Sequence, residues 1–444
     1  MRILHYFLGF PPYRTGGLTK YAYDLMQCQA NDGNDIIALW PGEIKKIGGE
    51  PLIKQRKSNK GIKNYEIINP LPVSLDEGIS DLEAYTKSCD KEVYIRFLRE
   101  VHPDVIHIHT LMGLHKEFIS STNELGIKTV FTTHDYFGIC PKVTLYRCGN
   151  VCENNHSCKD CVQCNHTALS LKKIQVMQSS LYRLLKNMPI VKQLRKRHRG
   201  NFFAKEEFLD MLDVDTNMCS KKYMILRKHY VDMLEAIELI HFNSHVAESV
   251  YKKYIKPKNS VVMTITHQGI VDNRKKNEWK ATGKLRILYL SPAKPFKGYN
   301  VLKQALDEIW NCGNHNIELR LFDMVQNPSP YMVIEKEGYT YGELVDIFAE
   351  TDILVAPSVW YETFGFTVLE AISNGVPVIV SEHVGAKEVI GDGGIVIDAG
   401  SVDKLKQVIV GMTEYELISL RKKVQAVKLK SWREFLEENY QLYI

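Results

Sequence analysis

Residues 352–381 read DILVAPSVWYETFGFTVLEAISNGVPVIVS. The apolar run Asp352–Ser358 predicts a buried strand that ends in a polar turn, and Val376–Val380 predicts another. Between them the pattern predicts a helix over Phe364–Ser373, with Thr363 as N-cap. Asn374-Gly375 stops it, because glycine accepts the left-handed cap. A helix that begins at the carboxyl end of a strand leaves its first N–H groups without internal partners. Those donors and the helix dipole make an anion site, and Gly365 lets a ligand approach the backbone. Glu362 and Glu370 bracket the segment with seven residues between them. At 1.5 Å per helical residue they lie at most about 12 Å apart. Carboxylates accept hydrogen bonds from hydroxyls, so the segment suits a diphosphate with a hydroxyl-rich group at either end.

The same strand and helix rhythm runs through most of the chain. In the first half, strands are predicted at Arg2–Phe7, Asp35–Trp40, Val105–His109, Thr129–Thr133 and Leu239–Asn243, with helices such as Leu18–Ala30 and Lys91–Val101 between them. A second series covers Leu285–Leu290, Glu318–Phe322, Ile353–Ala356, Val376–Val380 and Ile395–Ile397. Alternation of this kind predicts parallel sheets with crossover helices, an α/β fold. The polar stretch QGIVDNRKKNEWKATGK separates the two series and reads as a linker. The expected organisation is an N-terminal Rossmann-like domain over 1–270, a C-terminal one over 284–430, and a last helix over 431–444 packing back on the first domain. Residues of about 140–218 break the rhythm and read as an insertion with helices of its own. With 444 residues, two domains are the natural prior, and 45% hydrophobic with 25% charged residues is an ordinary globular composition. The net charge of +5 is too mild to imply nucleic acid. In doubly wound sheets ligands sit beyond the carboxyl ends of the strands, which puts the expected site in the cleft between the domains.

The segment ETFGFTVLEA resembles the E-x7-E signature of the family-four retaining glycosyltransferases, which have the GT-B fold of two doubly wound Rossmann-like domains facing a central cleft. The resemblance covers nearly the whole chain except much of the insertion. It implies that Glu362 contacts donor-sugar hydroxyls and Glu370 the ribose, while Thr363, Phe364, Gly365, Phe366 and Thr367 line the sugar and diphosphate. In SPAKPFKGYNVL (Ser291–Leu302), Lys297 resembles the family's phosphate-binding lysine; a fixed cation stabilises the charge that builds on a leaving phosphate. The family's arginine five residues earlier is here Pro292, and Lys294 is the candidate replacement. Gly16-Gly17 resembles the family's glycine loop, which lies close to the donor phosphates or the acceptor, and Gly17 is the candidate donor contact. His134, in VFTTHDYFGICP, matches the first-domain active-site histidine, which meets a sugar hydroxyl through its ring or its backbone. His109 reads as structural, and Asp135 as an orienter of the His134 ring or a turn cap. The implied catalytic group is His134, Lys297 and Glu362, with no side-chain nucleophile and no cofactor required. The first residues of YTYGELVDIFAETD fall where the family holds the base.

The implied function is hexosyl transfer, with retention, from a nucleotide diphosphate sugar such as a UDP-sugar to a hydroxyl of a glycan or lipid-linked acceptor, as in cell-envelope polysaccharide synthesis. Two other readings stand beside it: a phosphorylase-like enzyme that uses a sugar phosphate, and a zinc-stabilised binding module on a degenerate core. Cys140, Cys148, Cys152, Cys158, Cys161 and Cys164 include C-x2-C-x2-C, with His156 and His166 nearby. Structural zinc, free thiols and disulfides are all open for them. From Leu171 to Lys205 there is no acidic residue, and basic and apolar residues alternate at helical spacing. That pattern suits an anionic membrane surface better than nucleic acid. No apolar run has the length to span a bilayer, and the start MRILHYFLGFPPYRTGG reads as a buried strand rather than a signal peptide. The expected location is cytoplasmic, peripheral on the inner face of the plasma membrane.

Overall fold

The structure is a computed structural model that describes residues 1–74, 77–153, 156–195, 197, 216–276, 279–325, 327–336 and 338–444. Sixteen strands are named among them: β1 Arg2–Tyr6, β2 Asp35–Pro41, β3 Leu52–Asn59, β4 Ile62–Ile68, β5 Val105–Ile108, β6 Lys128–Thr132, β7 Tyr146–Arg147, β8 Asn150–Val151, β9 Leu239–Phe242, β10 Asn259–Val262, β11 Leu285–Tyr289, β12 Ile317–Leu321, β13 Met332–Ile334, β14 Ile353–Ala356, β15 Val378–Ser381 and β16 Gly394–Ile397. The first sheet runs β10-β9-β6-β5-β1-β2-β4-β3 and the second β13-β12-β11-β14-β15-β16. Central strands such as β1, β5 and β14 are buried almost along their length. Helices cover both faces of a parallel sheet, so such strands are apolar runs without alternation.

The second sheet is parallel throughout. The first departs from the all-parallel expectation at one edge, where β3 pairs antiparallel with β4. The Lys60-Gly61 turn between them has positive φ at both residues, the twist a tight hairpin requires. LIKQRKSN is nearly all exposed, and its charges protect an open edge. A strand with no buried face carries no apolar pattern, which hides β3; β4 is buried, but the polar Lys63, Asn64 and Glu66 interrupt its apolar run.

The strand order reverses between β1 and β5 in the first sheet and between β11 and β14 in the second, and the carboxyl ends at both reversals face one cleft. Helix Trp432–Gln441 returns to the first half. Trp432 Nε1 donates to Cys28 Sγ at 2.8 Å, Asn34 Nδ2 to the Tyr440 hydroxyl at 3.0 Å, and Phe435 packs on Tyr21 at 5.7 Å between ring centres. One apolar cluster joins Ile3, Tyr21 and Leu25 of the first half to Leu344, Val368 and Phe435.

The segment from Cys140 holds the β7–β8 hairpin and the short helices Lys159–Cys164, Leu171–Met177 and Ser180–Leu185, followed by the 21-residue helix Thr216–Ala236. Arg227 of that long helix donates to Ile139 O at 2.8 Å and to Cys161 Sγ at 3.4 Å. Burial raises the Cys140 thiol. A hydrogen bond from Cys161, aided by Arg227, lowers Cys158 to about 7. Among the described residues no three sulfurs or imidazoles of this segment come together within 4.8 Å. The basic stretch expected to continue to Lys205 lies outside the described residues at 196 and beyond 197.

Histidines are unusually buried here. Burial, the leading cause, lowers His5, His115, His229 and His241 to about 4 and His134 to about 3, and takes His107 and His109 well below the ordinary range. In the unfolded chain these rings take up protons near pH 6.5. The folded state therefore binds fewer protons between pH 6.5 and about 4, and stability falls as pH drops through that window. Thermal melts from pH 7.5 to 4 should show Tm falling below 6.5; a flat Tm across the window would contradict the buried neutral state.

Candidate active site

The cleft between the sheets encloses about 540 Å³, within the range of small-ligand sites. Its floor is the turn from β14 into helix Phe366–Ser373. The helix begins two residues later than its pattern predicts, and the N-cap is Gly365, not Thr363. Gly365 has φ 101°, a conformation L side chains rarely adopt, and an added Cβ would lie 3.1 Å from Val384. Thr363 is used elsewhere: its hydroxyl donates to His134 O at 3.1 Å and its carbonyl accepts from Ser244 Oγ at 2.6 Å. Both partners belong to the first half, so the turn is clamped across the cleft. The amides of Thr363, Phe364, Gly365, Phe366 and Thr367 donate to no acceptor among the described residues. That is an anion cradle.

Lys297 stands at its edge. The lysine ends the short turn Pro295–Lys297, and the next residue, Gly298, has φ 78° with Pro357 O 1.9 Å from where a Cβ would sit. Only glycine lets this loop lie so close to the β14 turn. Lys297 Nζ is 2.6 Å from Glu362 Oε1 and 4.7 Å from the Trp360 ring centre. Ser358 Oγ donates to Glu362 Oε2 at 2.7 Å. Lys294, the candidate second cation, lies over the Phe296 ring at 5.1 Å and does not line the cleft. The second lysine lining it is Lys20, paired with Asp24 and 5.2 Å from the Tyr341 ring.

Glu370 is only 4% exposed. Its Oε1 is 3.4 Å from His267 Nε2, and its Oε2 has no partner among the described residues. His267 Nδ1 accepts from Gly269 N at 3.0 Å, which turns the other ring nitrogen toward the carboxylate. The opposite wall carries Gly17, His134 and Asn243. Phe366 lies 3.2 Å from a Cβ placed on Gly17, so the glycine permits the two halves to meet. Asn243 is fully buried, and neither polar atom of its amide has a partner among the described residues. Asp135 caps a turn by accepting from Phe137 N at 2.8 Å; it does not hold the His134 ring, and burial raises it to about 6.

The cleft therefore brings together every residue the sequence singled out for the donor: Gly17, His134, Lys297, Glu362, Thr363, Phe364, Gly365, Phe366, Thr367 and Glu370 all line it. Sequence reasoning missed Lys20, Asn243, Ser358 and His267. Lys20 and Asn243 stood in or beside quoted stretches without a feature to mark them, and His267 meets Glu370 only through the fold.

Residues 271–426 match the family described as glycosyl transferases group 1. The O-antigen chain mannosyltransferase B of Escherichia coli is 34% identical over 115 residues, 26% of this chain and 26% of that one. Sucrose synthase 2 of Oryza sativa subsp. japonica is 37% identical over 75 residues, 16% of this chain and 9% of that one. The chain thus aligns with about a quarter or less of the length of these relatives. Among solved structures, WaaG, a glycosyltransferase involved in lipopolysaccharide biosynthesis, superposes with a TM-score of 0.54 at 14% identity, covering 99% of each chain. The trehalose-6-phosphate structure from E. coli bound with UDP-2-fluoro glucose gives 0.57 at 12% identity, over 100% of this chain and 99% of that one. The fold is GT-B.

A buried carboxylate oxygen without a partner costs stability. Glu370→Gln, which removes the charge and keeps the shape, should melt at or above the wild-type Tm. A drop of more than about 3 °C, roughly 3 kcal/mol for a chain of this length, would show that Glu370 is satisfied in the unliganded protein.

Proposed function

We propose that this chain, whose C-terminal half is a glycosyl transferases group 1 domain within a GT-B fold, moves a hexose from a nucleotide diphosphate sugar to a hydroxyl of a glycan or lipid-linked acceptor, with retention at the anomeric carbon. The observation that carries the reading is the cradle of five unpaired amides, Thr363 to Thr367, beside Lys297 and between Glu362 and Glu370. A diphosphate takes the amides and draws Lys297 away from Glu362. Glu362 is then free to accept from sugar hydroxyls. The open Oε2 of Glu370 accepts from the ribose, and Asn243 offers its amide to the sugar or the acceptor.

In the step itself the bond between the anomeric carbon and the phosphate oxygen breaks and the acceptor oxygen bonds the same carbon on the same face. The acceptor proton passes to the departing phosphate oxygen. Lys297 and the amides stabilise the charge that grows there. No side chain of the chain becomes covalently attached. The UDP-sugar complex of one structural neighbour makes uridine the first base to try, and the O-antigen and lipopolysaccharide relatives favour an envelope glycan as acceptor.

The acceptor's location enters through the exposed face over 171–197. Val176, Leu181, Leu184, Met188, Ile190 and Leu194 all present their side chains to solvent, with Leu184 79% and Ile190 67% exposed. Lys172, Lys173, Lys192, Arg195 and Arg197 are exposed among them. Apolar side chains interleaved with cations fit the headgroup boundary of an anionic bilayer. No helix of the described residues is long and apolar enough to cross a membrane. Zinc in the Cys140–Cys164 segment would require four of its sulfurs or imidazoles to converge, and metal analysis of the purified chain decides it.

Melting the protein with UDP, other nucleoside diphosphates and their sugars tests the donor class, since a ligand that binds the native state raises Tm. A rise with at least one nucleotide sugar is expected. No rise with any of them, together with a rise in phosphate or a sugar phosphate, would favour the phosphorylase-like reading. Lys297→Ala and Glu362→Ala should each lower turnover by about 10²-fold or more while keeping a cooperative melt; normal turnover in both would end the assignment.

Leu184→Glu combined with Ile190→Glu should abolish cosedimentation with phosphatidylglycerol vesicles and leave turnover on a soluble acceptor unchanged. Undiminished vesicle binding would remove the membrane face from the proposal.

A further inference from the structure

The buried histidines of the first sheet do more than fill space, because their hydrogen bonds form one unbroken line. The line has a fixed end. Met263 O can only accept, and His241 Nε2 lies 2.7 Å from it, so that nitrogen carries the hydrogen. Burial keeps the ring neutral, with its pKa lowered to about 4, so its Nδ1 is bare. Thr132 Oγ1, 2.8 Å away, must donate to it. The single hydroxyl hydrogen is then used, and His107 Nε2 at 2.7 Å must donate to the threonine oxygen. His107 Nδ1 is therefore bare and takes the Tyr443 hydroxyl at 2.7 Å.

Tyr443 in turn accepts from Gln29 Nε2 at 3.0 Å. This turns Gln29 Oε1 toward His5 Nε2, 2.8 Å away, which must donate. His5 Nδ1 accepts from His109 Nε2 at 3.0 Å, and His109 Nδ1 accepts from His134 Nε2 at 3.5 Å, the longest link. Each step follows from the one before it, so hydrogen positions are assigned by the network and its one carbonyl end. The outcome is uniform: His241, His107, His5, His109 and His134 are all Nε2–H tautomers.

We propose that the Met263 carbonyl sets the tautomer of His134 through these eight consecutive hydrogen bonds, so that His134 offers the cleft a bare Nδ1, an acceptor that its ligand must meet with an O–H or N–H. The ring lines the cleft, and its Nδ1 has no partner among the described residues. The backbone oxygen of His134 already accepts from Thr363, which leaves the side chain as the group that reads the ligand. On the glycosyl-transfer reading, on which this step rests, the group read is a hydroxyl. A carbonyl, phosphate oxygen or fluorine in that place would set lone pair against lone pair. His109, His5, Gln29 and Tyr443 are then positioning residues that touch no ligand. One nitrogen from each of His5, His107 and His109 falls within 4.8 Å of the others, as in a metal site. Here, however, every ring nitrogen of the three already has a hydrogen-bond partner.

The test is the tautomeric state itself, read by two-bond ¹H–¹⁵N correlation on full-length protein labelled with ¹⁵N-histidine at pH 7.5, with signals assigned by single histidine substitutions. The expected result is Nε2–H at all five rings. Gln29→Leu should convert His134 to a mixture of tautomers, whereas Gln29→Glu, whose carboxylate still accepts from His5, should keep it Nε2–H. Should Gln29→Leu fail to fold, the wild-type spectrum alone decides. Nδ1–H at His134, a charged ring among the five, or zinc bound by His5, His107 and His109 on metal addition would each overturn the proposal. A functional arm uses nucleotide sugars with single hydroxyls replaced by fluorine. One position should lose 10-fold or more in affinity, and Gln29→Leu should shrink that loss; equal losses in both proteins would overturn the link to recognition. If no nucleotide sugar binds at all, the function assignment fails while the tautomer measurement still stands or falls separately.

Discussion

Peptide N–H groups from Thr363 to Thr367 donate to no acceptor among the described residues, and much of the surrounding structure can be understood from that deficit. An α-helix leaves its first donors open wherever it begins. Here it begins at the carboxyl end of a central strand, on a left-handed glycine, beside a lysine. Of the neighbouring carboxylates, Glu362 is held by Lys297 and Ser358, whereas Glu370 keeps one buried oxygen without a partner among the described residues. A folded chain does not collect unmet donors, an unmet acceptor and a buried amide such as that of Asn243 in one cleft without cost. The cost is intelligible if a hydroxyl-rich anion completes the set.

The cradle is also where the two halves are tied. Thr363 gives its hydroxyl to His134 O and takes the hydroxyl of Ser244, and Phe366 closes on Gly17. Beyond the cleft, His245 N and Nδ1 reach the two carboxylate oxygens of Glu388 at 2.8 and 2.9 Å. Opening the cleft would break these contacts together with the geometry of the anion site. Ligand binding and the approach of the halves therefore draw on the same few atoms.

Much of this was legible in the sequence, for reasons that can be located. Strands buried on both faces, such as Leu285–Tyr289 and Ile353–Ala356, announce themselves as apolar runs. The donor segment combines a strand end, a glycine and two carboxylates within twenty residues. What escaped is what lacks a local signature. The β3–β4 hairpin is polar at its exposed edge. The helix start moved from Thr363 to Gly365 because the threonine had a better use in binding the other half. Lys294 stands close to the phosphate-binding lysine in sequence and Lys20 does not, yet packing turns Lys294 to the Phe296 ring and puts Lys20 on the cleft. The five histidines are spread over more than two hundred residues, and the tyrosine that links them is next to last in the chain, so no window of sequence could have joined them.

That last point bears on how the molecule is made. Phe435, Leu442 and Tyr443 are buried against residues from the first thirty. On a ribosome, the opening half emerges with all the strands of its sheet yet with a hole in its interior, since the side chains that fill it follow only after the second sheet has been made. Of the two sheets, the one synthesised earlier is thus finished later, and its histidine-lined interior lacks the Tyr443 hydroxyl until the final helix docks.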